Sequence, residues 1–160
     1  MFAGVVAAIG CAVPDGPRAA TNSGDACLDC EANNCPHDSH FQPDCQDFSS
    51  ADRASCQNVL DCIRETNCIA SGNVACFCGN DLDIVSCKKY PVGGTTGAHG
   101  ACVSQIRAAF PPRASPSAIV NTLGDVTIPG GAALNLGQCD HDFCGVPALG
   151  GKNECVPYRR

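Results

Sequence analysis

The chain has 160 residues, 15 of them cysteine, a density that marks a disulfide scaffold in an oxidising compartment rather than a reduced cytosolic globule. Its formal charge of −6 is unevenly spread: residues 25–83 hold eleven acids against Arg53 and Arg64, whereas residues 84–160 hold four acids against seven bases, with no basic cluster larger than Lys88-Lys89 or Arg159-Arg160. That distribution excludes nucleic acid as a partner, because the acidic half repels phosphate and the other half offers no basic stripe.

The N-terminal MFAGVVAAIG is apolar, too short to span a bilayer as a mature helix but suited to the h-region of a signal peptide. Ala8-Ile9-Gly10-Cys11 follows the lipobox pattern of small or apolar residues, Gly, then Cys. Residues 1–11 therefore read as a signal-like segment with its lipidation site at Cys11; no Lys or Arg precedes the run, which is the departure from that pattern. Residues 12–24, AVPDGPRAATNSG, bury almost nothing and read as a flexible tether. If Cys11 carries lipid, the remaining fourteen cysteines can close seven bridges with no thiol left over.

Residues 25–158 read as one stapled domain. Six Phe, two Tyr and no Trp give a thin core, which makes cross-links the more valuable. The disulfide candidates are Cys27, Cys30, Cys35, Cys45, Cys56, Cys62, Cys68, Cys76, Cys78, Cys87, Cys102, Cys139, Cys144 and Cys155. Asp25 is placed to cap a helix carrying Cys27, Leu28, Cys30 and Glu31 that stops at Asn34-Cys35-Pro36. Ser49 or Ser50 caps a second, with Cys56, Val59, Leu60 and Ile63 at i, i+3, i+4 and i+7. These two helices suggest an α-hairpin cross-linked through facing cysteines.

Gly72-Asn73 marks a turn, after which Val74, Cys76 and Cys78 alternate with period 2, as in an extended segment. A bond between Cys76 and Cys78 would be strained, so each should pair elsewhere. Residues 90–100, YPVGGTTGAHG, form a Gly-rich loop in which Gly94, Gly97 and Gly100 lack the spacing and the Lys-Ser/Thr ending of a phosphate loop. A third helix follows, with Cys102, Val103, Ile106 and Phe110 on one face and Pro111-Pro112 closing it. Ser115-Pro116 opens a fourth through Ile119, Val120 and Leu123 to Gly124. Residues 129–139 allow another, and CDHDFC with the tail to Cys155 reads as loop held by bridges. The expected fold class is small, disulfide-rich and mainly α with long irregular loops; a short strand pair is the one β feature the spacing allows.

Chemistry-bearing motifs are few. Cys27-Leu28-Asp29-Cys30 is the single C-x-x-C; Glu31 follows it where haem attachment needs His, and no second C-x-x-C completes a zinc ribbon. His37 and His40, with Asp140, His141 and Asp142, are candidate metal ligands. Asn80-Asp81-Leu82-Asp83 lacks the Gly and distal Glu of a calcium loop. No G-x-S-x-G, H-E-x-x-H or Cys-His signature appears, Ser104 and His99 are merely near in sequence, and no catalytic residue is assigned.

The lipobox-like Cys11, the tether and the series C-L-D-C, D-C-I-R, A-C-F-C-G, G-A-C-V-S-Q-I and C-D-H-D-F-C resemble myxobacterial-type cysteine-rich lipoproteins over most of the chain. The resemblance implies an envelope location and disulfides, with no assigned activity. The expected function is a non-catalytic, lipid-tethered or secreted envelope module with a binding or structural role. It would need no cofactor, would reach the membrane through its anchor, and would take an unknown protein or envelope polymer as partner. The alternatives are a metal-binding or redox protein using Cys/His ligands, and an exported hydrolase.

Overall fold

The apolar stripe of one amphipathic helix organises the rest of the chain. The structure, a computed structural model, describes residues 23–35, 45–80, 83–90, 97–144 and 155. Among these, seven α-helices occur in the order α1 (Ser23–Asn34), α2 (Ser50–Thr66), α3 (Asn73–Cys78), α4 (Ile84–Lys89), α5 (Val103–Ala108), α6 (Pro116–Asn121) and α7 (Pro129–Cys139), with short 3₁₀ turns at Cys45–Asp47 and Cys68–Ser71. No strand occurs among the described residues, so the allowed strand pair is absent from them. Cys11, His37, His40 and the tether residues 12–22 lie outside the described residues.

In α2, Cys56, Val59, Leu60 and Ile63 are all buried, as their spacing requires. Ser49 occupies its N-cap but turns its hydroxyl to the Asp52 carboxylate, 2.9 Å away, rather than to a backbone N–H. The helix ends at Asn67 in the left-handed region (φ 51°). Its apolar face meets α7, a helix built of small residues and buried on most sides. The two backbones approach closely at Gly137, where an added Cβ would sit 2.7 Å from Ile63 Cγ2.

Four expectations are corrected. The first helix begins at Ser23, so Asp25 lies inside its first turn rather than capping it. No disulfide joins α1 to α2: α1 packs on the turn after α7, and Cys27 and Cys30 bond to Cys155 and Cys144. VACFC is helical, not extended. Residues two apart on an α-helix point roughly 200° apart, which sends Cys76 back to Cys68 in the preceding 3₁₀ turn and Cys78 forward to Cys87 in α4. Finally, Asp140–Cys144, expected as loop, continues α7 as one π-helical turn.

The third and fourth expected helices are α5 and α6. Ile106 and Phe110 are buried with Cys102. Ser115 caps α6 by accepting from Ala118 N–H, with Pro116 in the first turn. Asp83 caps α4 in the same way, accepting from Val85 and Ser86 N–H, each at 2.9 Å. The Ser86 hydroxyl and those N–H groups hold its carboxyl below the ordinary carboxylate range. At the end of the Gly-rich loop and just beyond it, His99, Gly100 and Cys102 donate their N–H groups to the carbonyls of Cys78, Phe77 and Cys76, closing the C-terminal end of α3. Gly100 is required there, since a Cβ would lie 2.4 Å from the Cys76 carbonyl oxygen.

Candidate functional site

All fourteen cysteines from Cys27 to Cys155 are paired. The bridges are Cys27–Cys155, Cys30–Cys144, Cys35–Cys139, Cys45–Cys56, Cys62–Cys102, Cys68–Cys76 and Cys78–Cys87. Three of them bind α1 and its exit to the end of α7 and the segment beyond; the other four stitch the central helices. Cys76 and Cys78 pair elsewhere, as their strain argument required.

Beside the first set lies an ionic junction that the sequence pattern does not single out. Arg64, at the last turn of α2, donates from Nη2 to Glu31 Oε1 of α1 and from Nε to Asp140 Oδ2 at 2.9 Å. Glu31 and Asp140 are buried and the Arg64 side chain is 20% exposed. Two carboxylates share one cation, and Asp140 Oδ1 is buried with no hydrogen-bond partner among the described residues. Arg64 is one of two bases in the acidic half and adjoins the buried Ile63; that isolation is the only sequence signal that could have found it.

Of the metal candidates, Asp140 is committed to Arg64, while His141 Nδ1 lies 3.0 Å from Asp142 Oδ1, which also accepts from Gln138 at 2.9 Å. These three side chains do not converge as a ligand set. The groups whose ligand atoms do converge are Cys27, Glu31, Asp140 and Cys155, and Cys35, Asp140 and Cys144. Every sulfur in them is in a disulfide and therefore offers no thiolate to an ion.

A groove of about 450 Å³ runs between α2 and α5. One face of α2 supplies Ser55, Asn58, Asp61, Cys62 and Glu65, at helical spacing; α5 supplies Ser104, Gln105 and Ala108. The Cys62–Cys102 bridge joins the two walls. The lining carries hydroxyls, amides and two carboxylates, with no base and no aromatic ring among the described residues, a surface suited to hydroxylated, neutral or cationic groups. Ser104 donates to Gln105 Oε1 at 2.7 Å, and His99 Nδ1 is engaged with the Gly97 carbonyl oxygen at 2.8 Å. Neither contact is the serine–histidine bond that nucleophilic catalysis needs.

The fold is a helical domain held by disulfides, with an open polar groove on its surface between α2 and α5. Compared with known protein families, with characterised proteins and with solved structures, the chain matches none. Seven bridges belong to an oxidising compartment, and no helix among the described residues is long and apolar enough to cross a membrane.

Proposed function

We propose that this protein is an exported, non-catalytic binding module of the bacterial cell envelope, held at the membrane by a lipid thioether on Cys11 and presenting the α2–α5 groove to an envelope polymer or protein. The observation that carries the reading is the pairing of every cysteine from Cys27 to Cys155. It leaves Cys11 as the odd sulfur, and Cys11 stands directly after Ala8-Ile9-Gly10. A polar groove with no organised nucleophile or base among the described residues suits binding rather than turnover. Rigid cross-linking supports the same role, because a groove that is already ordered loses little conformational entropy when it is filled.

Detergent phase partitioning and intact mass of the protein from its native host test the anchor. The native chain should enter the detergent phase with Cys11 at its N-terminus carrying a diacylglyceryl mass increment, and Cys11→Ala should move it to the aqueous phase with all seven bridges intact. Release of the native protein by salt alone, or an unmodified thiol at Cys11, overturns the anchor.

A further inference from the structure

Two of the bridges lie in contact with each other. Cys68 Sγ is 3.7 Å from Cys102 Sγ, so the Cys68–Cys76 and Cys62–Cys102 disulfides touch through one sulfur of each. The Cys62–Cys102 bridge borders the α2–α5 groove through Cys62, which is buried but for 6% of its surface; Cys68 is half-buried outside the groove lining, and Cys102 and Cys76 are fully buried. We propose that Cys62–Cys102 and Cys68–Cys76 form a thiol–disulfide exchange pair, entered at Cys62 by a small neutral or cationic thiol that binds in the groove. The inference rests on the bridges and the groove and is independent of the lipid on Cys11.

The exchange has two steps. An external thiolate attacks Cys62 Sγ; the new bond joins it to Cys62, the Cys62–Cys102 bond breaks, and the electron pair leaves on Cys102. The Thr66 hydroxyl, which donates to the Cys62 carbonyl at 2.7 Å, sits 3.6 Å from Cys102 Sγ and can redirect its proton to the thiolate. Cys102 then attacks its neighbour Cys68; a Cys68–Cys102 bond forms, the Cys68–Cys76 bond breaks, and Cys76 takes the electron pair and finally the proton of the incoming thiol. The transfer balances without a further oxidant or reductant: Cys76 ends as the reduced thiol, and the incoming sulfur is oxidised into the mixed disulfide at Cys62. Asp61 and Glu65 set the specificity. With two carboxylates and no base among its described lining residues, the groove repels anionic thiols and admits neutral or cationic ones.

Cys62→Ser tests the second step without any added thiol, because it leaves Cys102 free beside the intact Cys68–Cys76 bridge. After incubation of the folded variant near pH 8, acid quench and peptide mapping, a Cys68–Cys102 linkage and an alkylated Cys76 are expected. The mirror variant Cys102→Ser should retain Cys68–Cys76 and a single thiol at Cys62. A Cys62→Ser thiol that stays wholly on Cys102, or that spreads equally to unrelated cysteines, overturns the proposal. Wild-type protein provides the measurement that needs no variant to fold: short exposure to cysteamine, mercaptoethanol or mercaptoacetate, with rates compared per thiolate. The adduct should form at Cys62 with the alkylatable thiol at Cys76. Rates should fall about threefold for each negative charge added to the thiol, a difference that collapses in 1 M salt. Rates independent of thiol charge, or adducts elsewhere, count against the groove as the route.

Discussion

Arg64 joins two chain-distant acids, because its one guanidinium is shared by two carboxylates that are themselves buried. A buried ion pair is weak evidence of net stabilisation, yet breaking it from one side leaves charge stranded in a poorly solvating place. Arg64→Met keeps the apolar stem and removes the cation that faces both Glu31 and Asp140. It should cost about 3–5 kcal/mol in urea unfolding with the disulfides intact. Asp140→Asn should cost less than half as much, since the amide oxygen can still accept from Arg64 and one of two competing negative charges is gone. Equal losses in the two variants would show that the junction is not short of positive charge. Asp140 was legible as a candidate ligand from its place in the acidic CDHD run, but its true partner was not. Arg64 is 76 residues away in sequence, and only the docking of α7 on α2 brings the two together.

At the scale of elements, packing between α2 and α7 decides the fold, and it depends on what α7 lacks. Gly137 lets the backbones approach until Ile63 fills the space a side chain would need. Gly137→Ala should destabilise the protein by about 1–3 kcal/mol through overpacking. Ile63→Ala, which empties the opposing volume, should be costly alone yet couple favourably with Gly137→Ala, so that the double variant loses less than the two single losses combined. Additive losses in a double-mutant cycle would place the clash elsewhere. Helices α2, α5 and α6 were legible because each has a local signature: a 3.6-residue apolar stripe, a closing Pro-Pro, or a Ser-Pro start. The helix at Asn73–Cys78 was not. Its six residues are too few to display a helical period, and two cysteines spaced by one residue mimic alternation. Only the opposite destinations of those cysteines, Cys68 behind and Cys87 ahead, reveal the helix. Asp140–Cys144 was misread for a related reason, since its acids look like loop until Arg64 neutralises one of them.

For the whole molecule, the cysteine count revealed that the chain is stapled but not how, because connectivity follows from tertiary placement and many pairings fit one sequence. The observed pattern is nested: Cys27–Cys155, Cys30–Cys144 and Cys35–Cys139 link the same two regions in reverse order, across separations of 128, 114 and 104 residues. Taken singly, each closes a loop of more than 100 residues, for which the chain-entropy model gives about 4.7–5 kcal/mol. They do not act singly. With Cys30–Cys144 in place, Cys27 is three residues from one anchor and Cys155 eleven from the other, so the outer bridge closes only a short additional loop. Removing it as Cys27→Ser/Cys155→Ser should therefore cost about 3 kcal/mol, the value for a loop of about 15 residues, in denaturant unfolding at equilibrium. Deleting all three bridges frees the long loop as well, so that loss should exceed the three single-bridge losses added together. A cost near 5 kcal/mol for the outer bridge alone would mean that its neighbours leave the unfolded chain unconstrained. The same nesting locates the junction of α1 with the end of α7 as the place where the unfolded ensemble is held most tightly. Three covalent ties there stand beside the Arg64 guanidinium that Glu31 and Asp140 share.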